Sequence, residues 1–389
     1  MSAQPALRAS DAAQSRMLSR IDQVDAAQWD ALFPASYPFI RHDFLAALEA
    51  HGCVGARTGW EPCHLVLERA GQLAAALPLY RKRHSYGEFV FDFAWAEASH
   101  RLGKPYYPKL LCAVPFTPVT GPRLGALNDD ARRALTARLD GELQESGASS
   151  AHALFLEPAD AAALGAAGWL ERNDVQFHWH GRGDTTFEQF LARLSGDKRK
   201  KIRRERRKVA EAGLRFEHAR GDAITEAQWV EVFALYSNTY EERGQAPYLT
   251  LEFFLDYGRA PGTPLRLVLA REGTRLVAVA ITLAGGDTLY GRHWGCAGRY
   301  DGLHFETCYY QGIELCLAEG LTHFDAGAQG AHKLARGFTP VITRSAHKLA
   351  DPRLAAAVAD YLSRERAAVG HEKNLLAAHS PYRADDCDG

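Results

Sequence analysis

The sequence predicts an α/β protein of two tandem domains with mixed central sheets, and three observations carry that reading. The chain is 389 residues long, enough for two domains with separate hydrophobic cores. Four segments of the first half return in the second half, in the same order and 200 to 209 residues later. Within the second half, a strand pair is followed by a third strand, a Gly-containing loop, an amphipathic helix and another strand. That order builds a mixed sheet with a helical crossover.

In chain order, the first repeated segment is a Trp-bearing helix, Gln28-Trp29-Asp30-Ala31-Leu32, matched by Gln228-Trp229-Val230-Glu231-Val232. Next, Pro38-Phe39-Ile40 with Asp43-Phe44-Leu45 is echoed by Pro247-Tyr248-Leu249 with Glu252-Phe253-Phe254. Then come HLVLERAGQLAAALPLYRK from His64 and RLVLAREGTRLVAVAITLA from Arg266, apolar strands joined by short Gly-containing turns, which read as β-hairpins. A run of matches in one order indicates an ancient tandem duplication with its boundary near Trp169–Val175. The expected domains are 19–172 and 173–375, between flexible tails at 1–18 and 376–389. In the second domain the pattern predicts helices over about 226–241 and 251–258, a hairpin over 265–284, a strand at 288–296, a helix at 304–319 and a strand at 321–326. A last helix covers about 353–368, with Asp351-Pro352 as its start signal.

Composition excludes several classes. Lys and Arg number 46 against 47 Asp and Glu, so net charge argues for neither a nucleic-acid nor a membrane partner. No apolar run is long enough to span a membrane, and the N-terminus has no hydrophobic signal core, so a cytoplasmic location is expected. The seven cysteines form no C-x-x-C pair, which fits reduced thiols and no metal site. No G-x-S-x-G elbow or H-E-x-x-H pair occurs, so hydrolase and metalloenzyme readings have no support.

The densest chemistry lies between Arg292 and Phe338. Four strings, SYGEFVFDFAW from Ser85, YYPKLLCAVPFTPVTGPRL from Tyr106, LHFETCYYQGIE from Leu303 and FDAGAQGAHKLARGF from Phe324, resemble the FemAB-like predicted N-acyltransferases, a group associated with peptidoglycan biosynthesis or recognition. The resemblance covers about residues 20–370. It implies two tandem GNAT-like (acyl-CoA N-acyltransferase fold) domains and transfer of an acyl or aminoacyl group to an amine, possible acceptors being a cell-wall precursor or another small amino compound. The donor would be aminoacyl-tRNA or acyl-CoA, acting as a cosubstrate, with no tightly bound cofactor, no metal and no DNA partner. A non-catalytic protein binding an anionic glycan or nucleotide sugar is the alternative, and an acetyl-CoA-dependent acetyltransferase is a third reading.

GNAT enzymes hold the donor pyrophosphate with a Q/R-x-x-G-x-G/A loop after the fourth strand. Here that place reads Arg299-Tyr300-Asp301-Gly302-Leu303-His304. Arginine and the first glycine are present, but His304 replaces the small last residue and would crowd a diphosphate against the backbone. Arg292-His293-Trp294-Gly295-Cys296-Ala297 fits the pattern letter for letter but falls on a predicted strand. The misfit at His304 favours the Fem-type donor over coenzyme A.

The run Lys198–Lys208 holds nine basic residues and one acid, while the other 378 residues carry 37 basic and 46 acidic ones, so the field is polarised. Asp197 is the expected N-cap and Gly213 the stop. Ile202 and Val209 give a thin apolar seam. Lys198, Arg199, Lys200 and Lys201 would sit at the positive end of the helix dipole, each disfavoured by roughly 0.3–1 kcal/mol. An anion reverses that sign, so these four with Arg203 and Arg204 are anion-binding candidates. A solvated helix face is the bland alternative.

Gly327 to Phe338 superficially looks like a P-loop, but the spacing is wrong and no Ser or Thr follows Lys333. Amine acylation needs a deprotonated amine and a stabilised oxyanion. Lys333 and Arg336 are the candidate oxyanion groups; His332, Asp325, Glu306 and His304 are the candidate proton acceptors. The resemblance places Tyr107, Lys109, Thr117 and Arg123 in an acceptor cleft, with Trp294, Tyr310 and Gln329 joining from the second half. Tyrosines such as Tyr309 and Tyr310 are more often core or rim aromatics than catalytic groups.

Overall fold

The computed structural model describes residues 14–328 and 330–383. Gln329 therefore lies outside the described residues, as do the tails before 14 and after 383. The chain forms two compact units. One holds the described residues up to Arg172 together with Arg344–Arg364; the other holds Asn173–Thr343 and the described residues from Glu365. The expected 173–375 domain thus loses a piece: Arg344–Arg364 packs with the first unit. Apolar burial explains it, because Leu349, Leu354, Val358 and Leu362 share a core cluster with Trp95 and Tyr106.

In the first unit, strands Gln14–Leu18, His64–Arg69, Gln72–Leu77 and Gly125–Ala126 make one sheet. Gln14–Leu18 was expected in the flexible tail; it instead pairs antiparallel with His64–Glu68. A second group of strands contains the parallel pair Lys109–Cys112 and Ser150–Ala153. Ala346–Leu349 then pairs antiparallel with the latter. The core gathers Leu65, Leu77, Leu110, Leu135, Leu139 and Leu164, all fully buried.

In the second unit, helices Glu226–Glu241 and Leu251–Asp256 precede strands Leu265–Glu272, Arg275–Gly285 and Thr288–Cys296. These strands pair antiparallel, and Thr288–Cys296 then pairs parallel with His323–Asp325. The duplication shows in detail. Both hairpins carry a register shift, at Leu67/Glu68 and at Ala270/Arg271. Both repeat tryptophans are fully buried and donate to a backbone carbonyl: Trp29 Nε1 to Ile40 O at 2.8 Å and Trp229 Nε1 to Gly221 O at 3.1 Å.

Four further expectations are adjusted. The 304–319 helix has a π-helical turn, Glu306–Tyr310, between one short α-turn and Gln311–Glu319; such a bulge re-aims the side chains around it. The basic helix runs Gly196–Glu211 with Ser195 at the N-cap position, so Asp197 sits in its first turn rather than capping it. The last helix extends over Pro352–Ala378, well past 368, because no proline interrupts it and the lone Gly370 is tolerated. Finally, residues 376–383 are anchored rather than loose: Tyr382 is buried and its Oη donates to Gly337 O at 2.6 Å.

Candidate functional site

The second unit opens where two strands part. Thr288–Tyr290 pairs in register with His323–Asp325, but one strand continues to Cys296 while the other ends and turns. Beyond Tyr290 these two strands no longer share hydrogen bonds, so the sheet splays. The turn crosses closely: a Cβ at Gly327, where φ is +79°, would stand 3.1 Å from Gly291 O. Only glycine meets both demands without strain. The letter-perfect Arg292–Ala297 match is strand, as expected. Gly295 serves packing there, since a Cβ would lie 2.1 Å from Leu235 O of the facing helix.

A cavity of about 1060 Å³ lies at the far end of the Thr288–Cys296 strand. Its lining combines Thr239, Glu242 and Arg243 with Trp294, Cys296 and the stretch Gly298–Asp301, Leu303 and His304. Arg299, Gly302 and His304, read from sequence as a donor loop, therefore border or flank one hollow, with Trp294 on its wall. Thr239 Oγ1 donates to Trp294 O at 2.7 Å and fixes the helix end to the strand. Gly302 adopts φ +83° and starts the helical segment. Asp301 is neutralised by Lys208 at 2.7 Å. Arg243 and Arg299 form no ion pair among the described residues, and neither does Glu242.

His304 is half-buried, edge-on to Trp294 at 5.2 Å and to Tyr309 at 5.4 Å. Burial, followed by the charges of His332, Arg336 and Lys333, pulls its pKa down to about 4, so it is a neutral imidazole. His332 is exposed, with Nε2 2.9 Å from Tyr309 Oη. Its pKa is also lowered, by burial first and then by Arg336, Lys333 and Lys201. A neutral imidazole beside three cations can accept a proton while its surroundings favour developing negative charge.

Lys333 and Arg336 are not presented to the cleft. Lys333 is buried and its Nζ donates to Ala326 O at 3.0 Å and Gly327 O at 2.6 Å. It holds the turn closed, and burial brings its pKa down to about 8. Arg336 is buried too, donating to His332 O at 2.7 Å and to Glu205 Oε1 at 2.9 Å, with its guanidinium 3.4 Å over the Phe305 ring. Two other proton-acceptor candidates are also engaged. Asp325 accepts from Gly327 N at 2.8 Å, a turn-capping contact. Glu306 is buried against Arg206 at 3.2 Å and Gln311 at 2.9 Å.

The acceptor-cleft residues of the first unit are interior. Lys109 and Arg123 are fully buried and Thr117 nearly so. Arg123 donates to Leu154 O and Val119 O, organising the proline-rich loop; Thr117 bonds Pro115 O. Tyr107 is half-buried, its hydroxyl 2.8 Å from Ser85 Oγ. Tyr310 is core, donating to Glu205. A cleft reading fails for these because each polar atom already has an internal partner.

On the basic helix, Arg203 pairs with Glu188 at 2.6 Å and Arg199 donates to Leu194 O at 3.2 Å. Lys198, Lys200, Lys201 and Arg204 have no hydrogen-bond or ion-pair partner among the described residues. Sequence reasoning missed Glu205 and Arg206. Both lie at i+3 and i+4 from Ile202 and therefore on the buried stripe that ends at Val209, which is the signal that would have found them. Arg206 donates to Glu306 and to Glu314, the latter at 2.7 Å. Among the described residues no cluster of His, Cys, Asp or Glu could hold a metal ion, and no helix is long and apolar enough to cross a membrane.

Comparison with known proteins places this arrangement. FemX superposes with a TM-score of 0.54 at 12% identity, over 86% of this chain and 98% of that one. L-PGS from Bacillus licheniformis gives 0.51 at 12% identity, over 82% and 95%. A tandem GNAT protein from the clavulanic acid biosynthesis pathway gives 0.48 at 14%, over 88% and 99%. At such identities the likeness is one of fold. No curated protein matches by sequence. The model of the FemAB-like family, described as peptidoglycan biosynthesis/recognition, matches residues 20–384; the chain shares the fold of FemX and belongs to the FemAB-like family.

Proposed function

We propose that the protein transfers an acyl or aminoacyl group from an activated donor to an amine, with the donor held in the cavity of the second unit. The observation that carries this reading is the convergence of the donor loop, two unpaired arginines and a neutral imidazole wall on one hollow. The arginines would hold the donor's phosphates. A neutral amine would attack the carbonyl carbon, forming the C–N bond; the C–O or C–S bond to the donor would break. His332 would take the amine proton and return one to the leaving oxygen or sulfur. Lys201, Lys333 and Arg336, acting through their field, favour the oxyanion.

The acceptor class follows from the family's association with peptidoglycan: an amine of a cell-wall precursor. The unpaired Lys198, Lys200, Lys201 and Arg204 favour a polyanionic donor such as aminoacyl-tRNA over acyl-CoA, and His304 in place of a small residue argues the same way. The second reading is a non-catalytic binder of an anionic glycan. It is favoured by the burial of Lys333 and Arg336, which keeps two expected reactive cations out of the cleft.

Mass spectrometry of amine acceptors incubated with acyl-CoA or aminoacyl-tRNA tests the reading. Transfer is expected, with His332→Ala slowing it about 10²–10⁴-fold. Binding without turnover under either donor would instead establish the second reading.

A further inference from the structure

We propose that Glu205, the single acid of the basic run, is a positioning residue that seats His332 through Arg336, so that the basic helix and the proton acceptor form one mechanical unit. The inference rests on the reading of His332 given above. Ile202, Glu205, Arg206 and Val209 make one helical stripe, and Ile202 and Val209 are buried. From that stripe Glu205 Oε1 accepts from Arg336 Nη2 at 2.9 Å, and Glu205 Oε2 accepts from Tyr310 Oη. Arg336 Nη1 in turn donates to His332 O at 2.7 Å.

The Arg336 charge is buried, and Glu205 is the one acid it pairs with among the described residues. A buried cation stripped of its counter-ion moves toward water or loosens what holds it. Arg336 cannot do so without releasing the His332 carbonyl and sliding off Phe305, whose ring lies 5.5 Å from the His332 ring. Arg206 reinforces the same junction by bridging Glu306 and Glu314 of the neighbouring helix. The helix that carries the unpaired Lys198, Lys200, Lys201 and Arg204 is thereby bolted to the loop that carries His332. A polyanion bound to that helix would act on the seat of the proton acceptor.

The titratable and charged groups facing His332 are Lys201 from the basic helix, Lys333 and Arg336 from its own turn, and the neutral His304 and the Tyr309 hydroxyl from the adjoining helical segment. NMR titration of the His332 ring, with amide exchange over residues 330–337, tests the proposal without any substrate. In Glu205→Ala the ring should titrate higher, by about half a pH unit or more toward the ordinary histidine value, and exchange in that loop should accelerate about tenfold. Glu205→Asp should restore much of both. An unchanged His332 titration alongside a lower melting temperature means that Glu205 is merely structural, and overturns the proposal. If Glu205→Ala does not fold, Glu205→Gln decides by the same two readouts. Because no donor is needed, a failed transfer assay refutes catalysis without touching this coupling, and a failed coupling leaves the transfer assay standing.

Discussion

Both halves of the molecule bury lysine, and Lys109 of the first and Lys333 of the second are handled differently. Lys109 of the first unit is fully buried and donates to Ser85 Oγ at 2.9 Å, Glu88 Oε2 at 2.8 Å and Asp92 Oδ2 at 2.5 Å. Burial works against the Asp92 charge, but Lys109 more than offsets it and the carboxyl stays well below its usual range. Lys82, over the Trp60 face at 3.9 Å, and Glu88 complete a set of two basic and two acidic side chains. The cluster extends through Tyr106 to His152, whose Nδ1 is 2.7 Å from His347 Nδ1. Lys333 of the second unit faces two backbone carbonyls, and the charges beyond it (Arg243, Arg299, Lys201) are left without partners. The difference teaches that a duplicated fold can close its polar groups on themselves in one copy and leave them available at a cleft in the other. The first arrangement holds loops; the second can hold an anion.

The largest expected effect separates the two lysines. Lys109→Met leaves Asp92 buried without its lysine and Glu88 with Lys82 alone, and should cost about 3–5 kcal/mol in denaturant unfolding. Lys333→Met removes two hydrogen bonds to carbonyls and should cost about 1–3 kcal/mol. Equal costs would break the contrast.

A second test uses pH. Burial raises the Glu88 pKa to about 7 from an ordinary 4.5. The folded state then binds the extra proton, so this contribution is complete below about 4.5 and is lost as pH rises through about 7. Wild type should lose stability relative to Glu88→Gln across that window, by at most about 1.4 kcal/mol per pH unit. A difference between the two that stays flat with pH would show that Glu88 is ionised throughout.

The smallest effect is at the basic helix. Lys200→Ala with Arg204→Ala should leave unfolding within about 0.5 kcal/mol of wild type, since both are exposed and unpaired. The same pair should weaken RNA binding and flatten its salt dependence. Unchanged RNA affinity would return this helix face to the solvated reading.

Much of the fold is legible in the sequence because periodicity and turn chemistry are local. The hairpin from Leu265 to Gly285, the strand Thr288–Cys296 and the helix Glu226–Glu241 fall where apolar periodicity and Gly turns place them. The assignment of Arg344–Arg364 to the first unit was not legible, because it depends on which distant core Leu354 and Leu362 enter. The spacing of Arg299, Gly302 and His304 pointed to the stretch where Arg299 and His304 line the cavity. The roles of Lys333, Arg336 and Lys109 were misplaced, because a charged residue in a Gly-rich loop reads the same whether it faces solvent or a buried carbonyl. The partners that decide it, Glu205 and Glu88, are remote in sequence from Arg336 and Lys109.

That the second unit's cavity receives the donor's phosphates is tested most directly by equilibrium binding of acyl-CoA and aminoacyl-tRNA to wild type and to an Arg243→Ala, Arg299→Ala double variant. Affinity for the donor that binds wild type should fall about tenfold or more, as expected for losing two charge-assisted contacts, and Lys at both positions should recover part of it. Unchanged affinity in the alanine variant, with its fold intact, would contradict the placement of the donor in this cleft.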